Sequence, residues 1–188
     1  MNSRLALPFL LAAVLACAGC VHLQPVQDSA VRTSFSAKGA GAGEDALYPA
    51  PVFEVTLPAY LEESTVWIGR GDGRLRSLDD FLWADSLAPA LRREFALALA
   101  RPKPFPADFE IRIEFARFLV FDDGSAEALA ETILSTDGST RTLPLHRIRL
   151  ADAWDPERPA TFLEGYRALL ESTAAKINDS LAASVKKP

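Results

Sequence analysis

Cysteine and histidine are nearly absent from this chain, and that limits the chemistry it can perform. The two cysteines, Cys17 and Cys20, lie in the first twenty residues, and the two histidines are His22 and His146. No later cysteine remains for a disulfide or a Cys-His pair, and no His/Cys group has the spacing of a zinc site. A phosphate-binding glycine loop and a nucleophile elbow are also missing. These absences predict a non-enzymatic protein with no catalytic residues, no metal and no cofactor.

Positive charge and long apolar segments are scarce as well. The chain has 20 Lys and Arg against 25 Asp and Glu, a formal net charge of −5. Because nucleic-acid binding depends on cationic side chains, nucleic acid is not an expected partner. After the first twenty residues, no segment approaches the roughly 20 apolar residues of a membrane span. The remaining 168 residues fit one globular domain and a linker.

The first twenty residues, MNSRLALPFLLAAVLACAGC, are typical of a bacterial lipoprotein signal. Arg4 supplies the positive region, and residues 5–15 form the apolar region that follows it. Lipoprotein processing needs small residues before the cysteine that becomes the mature N-terminus, as in Ala18-Gly19-Cys20. We therefore predict a signal peptide over residues 1–19 and a lipidated Cys20. A thioether-linked diacylglycerol and an amide-linked chain such as palmitate supply the two or more chains that stable anchoring requires.

Two alternatives to this assignment stay open. Cys17 would be the lipid acceptor if cleavage came earlier, although Leu15 is large for the position that Ala18 fills before Cys20. The segment could also be an uncleaved apolar helix, or a plain signal peptide with two incidental cysteines. Val21 follows Cys20, whereas Asp at that position retains enterobacterial lipoproteins in the inner membrane. We therefore predict the periplasmic face of the outer membrane.

Residues 20–50 are rich in Gly, Ala, Ser and Pro, which predicts a flexible tether between the lipid and a domain over residues 51–188. About 30 residues of flexible chain reach roughly 30 Å, at ~5–6 Å × √n. Within this stretch, residues 31–35 have some β character and could form a short edge strand.

The domain is predicted to be an α/β fold with a mixed sheet of five to six strands. Alternating and apolar runs predict strands at residues 52–57, 65–69, 109–121, 126–134 and 141–150, and helical spacing predicts helices at 87–100 and from Thr161 to about Ser184. The last three strands form an antiparallel meander. A phase change at Ala116 indicates a bulge or a second buried face.

Two further details of the fold follow from local patterns. Ser77 and Asp80 resemble a capping box, which predicts helical structure carrying Phe81, Leu82 and Trp83. Strand 65–69, helix 87–100 and strand 109–121 are predicted to form a right-handed β-α-β unit with parallel strands.

The segment LPAYLEESTVWIGRGDGRLRSLDDFLWADSLAPALRREFALAL resembles the ABC-type transport auxiliary lipoprotein family, which includes paraquat-inducible protein C-like membrane-integrity lipoproteins. The resemblance rests on a Pro-x-Tyr-Leu loop, a strand ending in Arg and a Trp-Ala-acidic-x-Leu helix start. In this chain these positions are Pro58, Tyr60, Leu61, Arg70, Trp83, Ala84, Asp85 and Leu87. Many relatives carry Pro at the position of Ser86, whereas here Pro89 follows three residues later.

The resemblance implies a domain similar to TolB amino-terminal and anticodon-binding-like folds. It also implies the lipoprotein part of a phospholipid-trafficking or membrane-integrity system. Expected partners are a mammalian-cell-entry-domain protein and an inner-membrane transport component, with homo-oligomers allowed. Candidate contact residues are Tyr60, Arg70 and Trp83, since aromatic and Arg side chains dominate interface energetics. For Trp83 the alternative, a buried anchor between helix and sheet, is the favoured interpretation. For Arg70 the alternative is a solvated charge at the end of a strand.

Two other functions are weighed against this one. The first is a lipoprotein that carries an acyl chain itself, which requires an apolar cavity. The second is a cell-envelope hydrolase that uses His146.

Overall fold

The computed structural model describes residues 30–35 and 47–185. Cys17, Cys20 and the predicted signal peptide lie outside the described residues. The strands are β1 (Val31–Thr33), β2 (Val52–Thr56), β3 (Thr65–Gly69), β4 (Leu75–Trp83), β5 (Glu110–Val120), β6 (Ala126–Thr136), β7 (Ser139–Thr142) and β8 (His146–Leu150). The α-helices are α1 (Leu87–Ala98) and α2 (Phe162–Val185), and single 3-10 turns cover Ala59–Leu61 and Pro159–Thr161.

The strands form two sheets, and both are mixed. In the three-stranded sheet β4 is central, with β1 parallel to it on one side and β3 antiparallel on the other. In the five-stranded sheet β2 runs parallel to β5, while β5, β6 and β7 are successively antiparallel and β8 also pairs with β6. A parallel bridge between Gly69 and Phe121 joins the two sheets. The mixed α/β class and the long C-terminal helix are thus confirmed, with the strands divided between two sheets.

Helix α2 covers the core with one apolar face. Its spacing of large side chains matches the helical period, and Phe162, Tyr166, Leu169 and Ile177 are all fully buried. Trp83 and Phe118 pack against Tyr166, with ring centroids 5.5 and 5.4 Å away. Helix α1 buries Leu91 and Phe95 and begins after Ser86, with Pro89 in its first turn, where proline is tolerated.

The helical prediction for residues 77–83 is wrong, because this segment makes up most of strand β4. The Ser77 hydroxyl bonds the Asp79 carboxylate, a local contact that does not require a helix. Strand β3 supplies the backbone partners through an antiparallel register that pairs Trp67 with Ser77 and Gly69 with Leu75. Pairing with a neighbouring strand therefore overrides the capping pattern.

The predicted β-α-β unit is wrong in its first strand, because the parallel partner of β5 is β2. Among the described residues, strand 65–69 meets the predicted strand 109–121 in parallel only at the bridge between Gly69 and Phe121. Strand β3 turns back tightly onto β4, and a short hairpin costs less closure entropy than a crossover. Strand β2 is left to pair with β5 over Val52–Thr56, and α1 lies between them in the chain. The β-α-β connection exists, but it starts one strand earlier.

The antiparallel meander is confirmed with one change. The pairing of β5 with β6 shifts register between Phe115 and Arg117, which confirms the bulge at Ala116. The third predicted strand is divided into β7 and β8, with Pro144 between them, because proline has no backbone N–H to donate to a sheet. Gly124 and Gly138 adopt φ angles of 82° and 71° in the two predicted turns.

Strand β1 lies within the stretch predicted as tether. Thr33 pairs with Trp83, the Ala84 amide donates to the Thr33 carbonyl at 2.8 Å, and Phe35 is only 3% exposed. The fold therefore includes residues well before residue 51, in agreement with the edge strand suggested for residues 31–35.

Candidate functional site

Tyr60 and Arg70, two of the predicted contact residues, line the same surface cleft. The cleft has a volume of about 290 Å³ and lies between the β3–β4 turn and the bulged part of β5. We call it the arginine cleft, and it is lined by Tyr60, Gly69, Arg70, Gly73, Arg74, Leu75, Ala116, Arg117, Leu119 and Phe121.

The 3-10 turn Ala59–Leu61 positions Tyr60. Pro58 precedes the turn, and its carbonyl accepts the Leu61 amide at 2.9 Å. Leu61 is fully buried and anchors the turn, so the neighbouring Tyr60 is held half-buried at the edge of the cleft. Burial raises the pKa of Tyr60, and the backbone N–H of Phe118 and the charge of Arg117 partly oppose that rise. Its hydroxyl is therefore neutral at physiological pH and available for hydrogen bonding.

The β3–β4 turn positions Arg70. The Arg70 amide donates to the Arg74 carbonyl at 2.8 Å, and the Gly73 amide donates to the Arg70 carbonyl at 2.9 Å. Gly73 has a φ of 82°, a left-handed conformation that favours glycine. The Asp72 carboxylate lies 3.9 Å from both the Arg70 and Arg74 guanidinium groups, which are exposed. The arginines are thus aligned by a turn of fixed geometry, while their charged ends remain in water.

Arg117 is the residue of this cleft that sequence reasoning missed. The bulge at Ala116 leaves Ala116 and Arg117 both exposed, whereas Phe115 and Phe118 on either side are buried. A bulge re-aims side chains in this way. The Arg117 guanidinium is held by the Glu127 carboxylate of β6 at 2.9 Å. The phase change at Ala116 was the available signal, but it was not connected with the arginine beside it.

Close backbone approach at Gly69 forms the floor of the cleft. The Asp122 amide donates to the Gly69 carbonyl at 2.9 Å, which fixes the two sheets against each other. A Cβ atom on Gly69 would lie 2.5 Å from the Phe121 ring, so only glycine fits here without a shift. Phe121 lines the arginine cleft together with Arg70 and Arg117.

A second depression of about 240 Å³ continues the arginine cleft past Phe121. It shares Arg70 and Arg117 and adds Asp123, Ser125, Glu127 and Arg149. Hydrogen bonds from Ser125 lower the pKa of Asp123, which is therefore a carboxylate at neutral pH. The combined surface presents Tyr60 and Phe121 among four arginines, and aromatic and Arg side chains are the types enriched in protein interfaces.

Trp83 is not part of this surface. It is 4% exposed at the far end of β4, and the edges of Phe162 and Tyr166 pack on it with ring centroids 5.7 and 5.5 Å away. Among the described residues its indole N–H has no hydrogen-bond partner. The structure thus brings Tyr60 and Arg70 together and places Trp83 in the core.

His146 is the first residue of β8, and its side chain lies next to α2. It is 8% exposed, and its Nε2 atom is 3.5 Å from the Ser180 hydroxyl. Burial, together with the charge of Lys176, lowers its pKa. Over residues 30–35 and 47–185, no three His, Cys, Asp or Glu side chains are grouped so that they could hold a metal ion. In the same residues no helix is both long and apolar enough to cross a membrane.

Comparisons with known proteins give a family and a fold. The model of the ABC-type transport auxiliary lipoprotein component family matches residues 36–178. No curated protein matches the chain. A crystal structure of an uncharacterized protein is 18% identical, with a TM-score of 0.58 over 68% of this chain and 88% of the other. Protein XCC0632 from Xanthomonas campestris, of the DUF330 family, is 13% identical, with a TM-score of 0.56 over 79% of this chain and 90% of its own. At these identities the two structures share the fold with this chain.

Proposed function

The chain belongs to the ABC-type transport auxiliary lipoprotein component family, and we propose that it is the outer-membrane lipoprotein subunit of a phospholipid-trafficking system. In this role it docks a periplasm-spanning mammalian-cell-entry-domain protein. Family membership supports the transport-associated part of the proposal. The signal sequence supports the assignment to the outer membrane. The resemblance carried by the segments around Tyr60, Arg70 and Trp83 supports the choice of partner.

The proposed mechanism is tethering without catalysis. The lipid on Cys20 holds one end of the chain at the periplasmic face of the outer membrane, and the folded domain offers a fixed protein-binding surface. An inner-membrane component and a separate ATPase polypeptide supply the energy, since the sequence contains no phosphate-binding loop. A homo-oligomer that surrounds or caps the partner would present several copies of this surface.

The observation that carries the proposal is the meeting of Tyr60, Arg70 and Arg117 in one exposed cleft. A different local structure positions each residue: a 3-10 turn for Tyr60, a glycine-containing hairpin turn for Arg70 and a β-bulge for Arg117. Aromatic and Arg side chains dominate interface energetics, and a backbone that is fixed before binding loses little conformational freedom on association. Because Trp83 is buried, the proposed contact set consists of Tyr60, Arg70 and Arg117.

Affinity purification of the full-length chain from envelope membranes tests the proposal. The unmodified chain is expected to recover a mammalian-cell-entry-domain protein. The double variant Arg70→Ala/Arg117→Ala should lower that recovery at least about tenfold, as expected for hot-spot truncation. The matched control is Arg93→Ala/Arg141→Ala, because both of these arginines are exposed and neither lines the arginine cleft.

Equal recovery by the two double variants would show that the arginine cleft is not the docking surface. Failure to recover any such partner with the unmodified chain would count against the docking function itself. Sedimentation of the purified chain separately measures whether it is a homo-oligomer.

A further inference from the structure

A separate cleft, with a volume of about 350 Å³, lies at the opposite end of β5 from the arginine cleft and its adjoining depression. It is bounded by the end of α1, the loop of residues 101–109 and the last turns of α2. We call it the apolar cleft, and its apolar lining includes Leu99, Phe105, Phe109, Leu134, Leu181 and Ala182. Nothing in the docking function uses this cleft.

The walls of the apolar cleft are ordered. The rings of Phe105 and Phe109 stack with centroids 5.4 Å apart, and the Arg101 guanidinium lies 3.6 Å from the centroid of Phe105. Arg101 is also paired with Tyr48 through two backbone hydrogen bonds of 2.9 and 3.1 Å. Leu99, which is 1% exposed, lies deepest in the lining. The cleft is therefore a formed cavity with a rigid aromatic wall.

The polar groups of the lining indicate what kind of occupant fits. Arg101 donates to the carbonyls of Lys103 and Pro104 at 3.0 and 3.1 Å, and the Asn178 amide points to the Ala98 carbonyl at 3.5 Å. These N–H groups of Arg101 and Asn178 therefore face backbone carbonyl groups of the chain itself. A peptide segment would bring N–H and C=O groups that need partners, and burying them unpaired is costly. An alkyl chain has no such groups.

Charge and size narrow the occupant further. Arg101 lines the cleft, and Lys103, two residues later in the same loop, is exposed. The Asp108 carboxylate of this loop already accepts hydrogen bonds from Thr136 and Asp137, so the two cations are the charges of the loop that remain available to an anion. A volume of about 350 Å³ is near the lower limit of ligand pockets, which are about 300–1,000 Å³. Such a cavity accommodates one chain and not a two-chain lipid in full.

We infer that the apolar cleft binds the alkyl chain of a single-chain amphiphile whose anionic head group lies beside Arg101 and Lys103. The chain fills the space between the Phe105–Phe109 stack and Leu181, and it removes exposed apolar surface from water. The head group remains at the edge of the cleft, where the two cations attract it.

Photolabelling of the full-length lipidated chain in phosphatidylcholine vesicles tests this inference. The probe is dodecyl phosphate with a diazirine at the end of its alkyl chain, and labelled peptides are mapped by mass spectrometry. Label is expected within residues 99–109 and 178–182. Unlabelled dodecyl phosphate should compete for this label more strongly than dodecyltrimethylammonium, which has the same chain and a cationic head group.

A matched pair of variants separates binding from folding. Ala182 lines the cleft and Ala183 does not, yet both are exposed on α2. Ala182→Trp should fill the cleft and reduce the mapped label at least about fivefold, while Ala183→Trp leaves it unchanged. Equal labelling of the two variants would overturn the inference, as would label that maps mainly elsewhere.

Two other results would also overturn it. Equal competition by the cationic amphiphile would remove the role of Arg101 and Lys103. Crosslinks between two copies at residues 178–182 would show that a second copy occupies the cleft. Recovery of the transport partner through the arginine cleft is measured separately and is expected to be unchanged in Ala182→Trp, so the two proposals fail independently.

Discussion

The hydroxyl of Tyr166 on α2 donates to the backbone carbonyl of Trp67 on β3, with the two oxygens 3.2 Å apart. These residues are 99 positions apart in the chain, and Tyr166 is fully buried. The bond joins the long helix, which covers the core, to the three-stranded sheet that carries Arg70. It is therefore one of the contacts that keep the two sheets in a single arrangement.

Tyr166→Phe should lower the free energy of unfolding by about 1–2 kcal/mol, since it leaves the Trp67 carbonyl without this donor. Urea unfolding at pH 7 measures the change. Tyr60→Phe is a useful control, because Tyr60 is only half-buried and its truncation should have a smaller effect.

The same variant should alter stability in alkali. Burial raises the pKa of Tyr166 far above its ordinary value of 10.0. A raised pKa in the folded state gives stability that is complete below the unfolded value and is lost as pH rises above it. The unmodified chain should therefore lose stability above about pH 10, and Tyr166→Phe should lose less over that interval. Identical pH profiles would contradict a buried, neutral Tyr166.

Gly69→Ala should destabilise the chain and disturb the arginine cleft together. The new Cβ atom would lie 2.5 Å from the Phe121 ring and 2.9 Å from Leu119 Cδ2, so both side chains must move. Overpacking of this kind costs about 1–3 kcal/mol. Gly71→Ala is the matched control, because a Cβ atom there meets nothing within 4 Å. Thermal unfolding of both variants measures the difference, and equal midpoints would contradict the close approach.

Trp83→Ala should behave as a core truncation. Loss of a buried Trp costs about 3–5 kcal/mol, and here it would remove the edge contacts with Phe162 and Tyr166. Urea unfolding gives the stability, and partner recovery is normalised to folded protein. Recovery that falls while stability is retained would restore Trp83 to the contact surface.

Cys20→Ala should leave the domain folded but no longer attached to the membrane. Residues 30–35 and 47–185, which the structure describes, contain no cysteine. Membrane fractionation and incorporation of labelled lipid measure the outcome. A variant that still takes up lipid and remains in the membrane would identify Cys17 as the acceptor.

Local patterns predicted the parts of this fold that depend on near neighbours. The hairpin of β5 and β6, the turns at Gly124 and Gly138 and the apolar face of α2 all follow from residues close together in the chain. The segment of residues 77–83 was mistaken for a helix because Ser77 and Asp80 have cap-like spacing. Its partner β3 is also close in sequence, but apolar period alone does not distinguish a short helix from a strand.

Only part of the arginine cleft could be predicted from the sequence. Tyr60 and Arg70 were selected as types that suit interfaces, but their meeting with Arg117 depends on where β5 bulges and how the two sheets touch at Gly69. Trp83 and Tyr60 were both selected because they are aromatic. Only tertiary packing determines that Trp83 lies in the core and Tyr60 at the surface. Pairing between distant segments is not encoded in any single local window.

Because β1 pairs with β4 and belongs to the fold, the tether between the lipid and the domain is shorter than one that ends at residue 50. With the lipid on Cys20, as proposed, Ala30 at the start of the described fold is only ten positions further along the chain. Fully extended, ten residue steps span at most about 36 Å, whereas the thirty steps from Cys20 to residue 50 would span at most about 108 Å. The domain would then be confined to a layer next to the outer membrane, and a partner that crosses the periplasm would have to come into that layer to be bound.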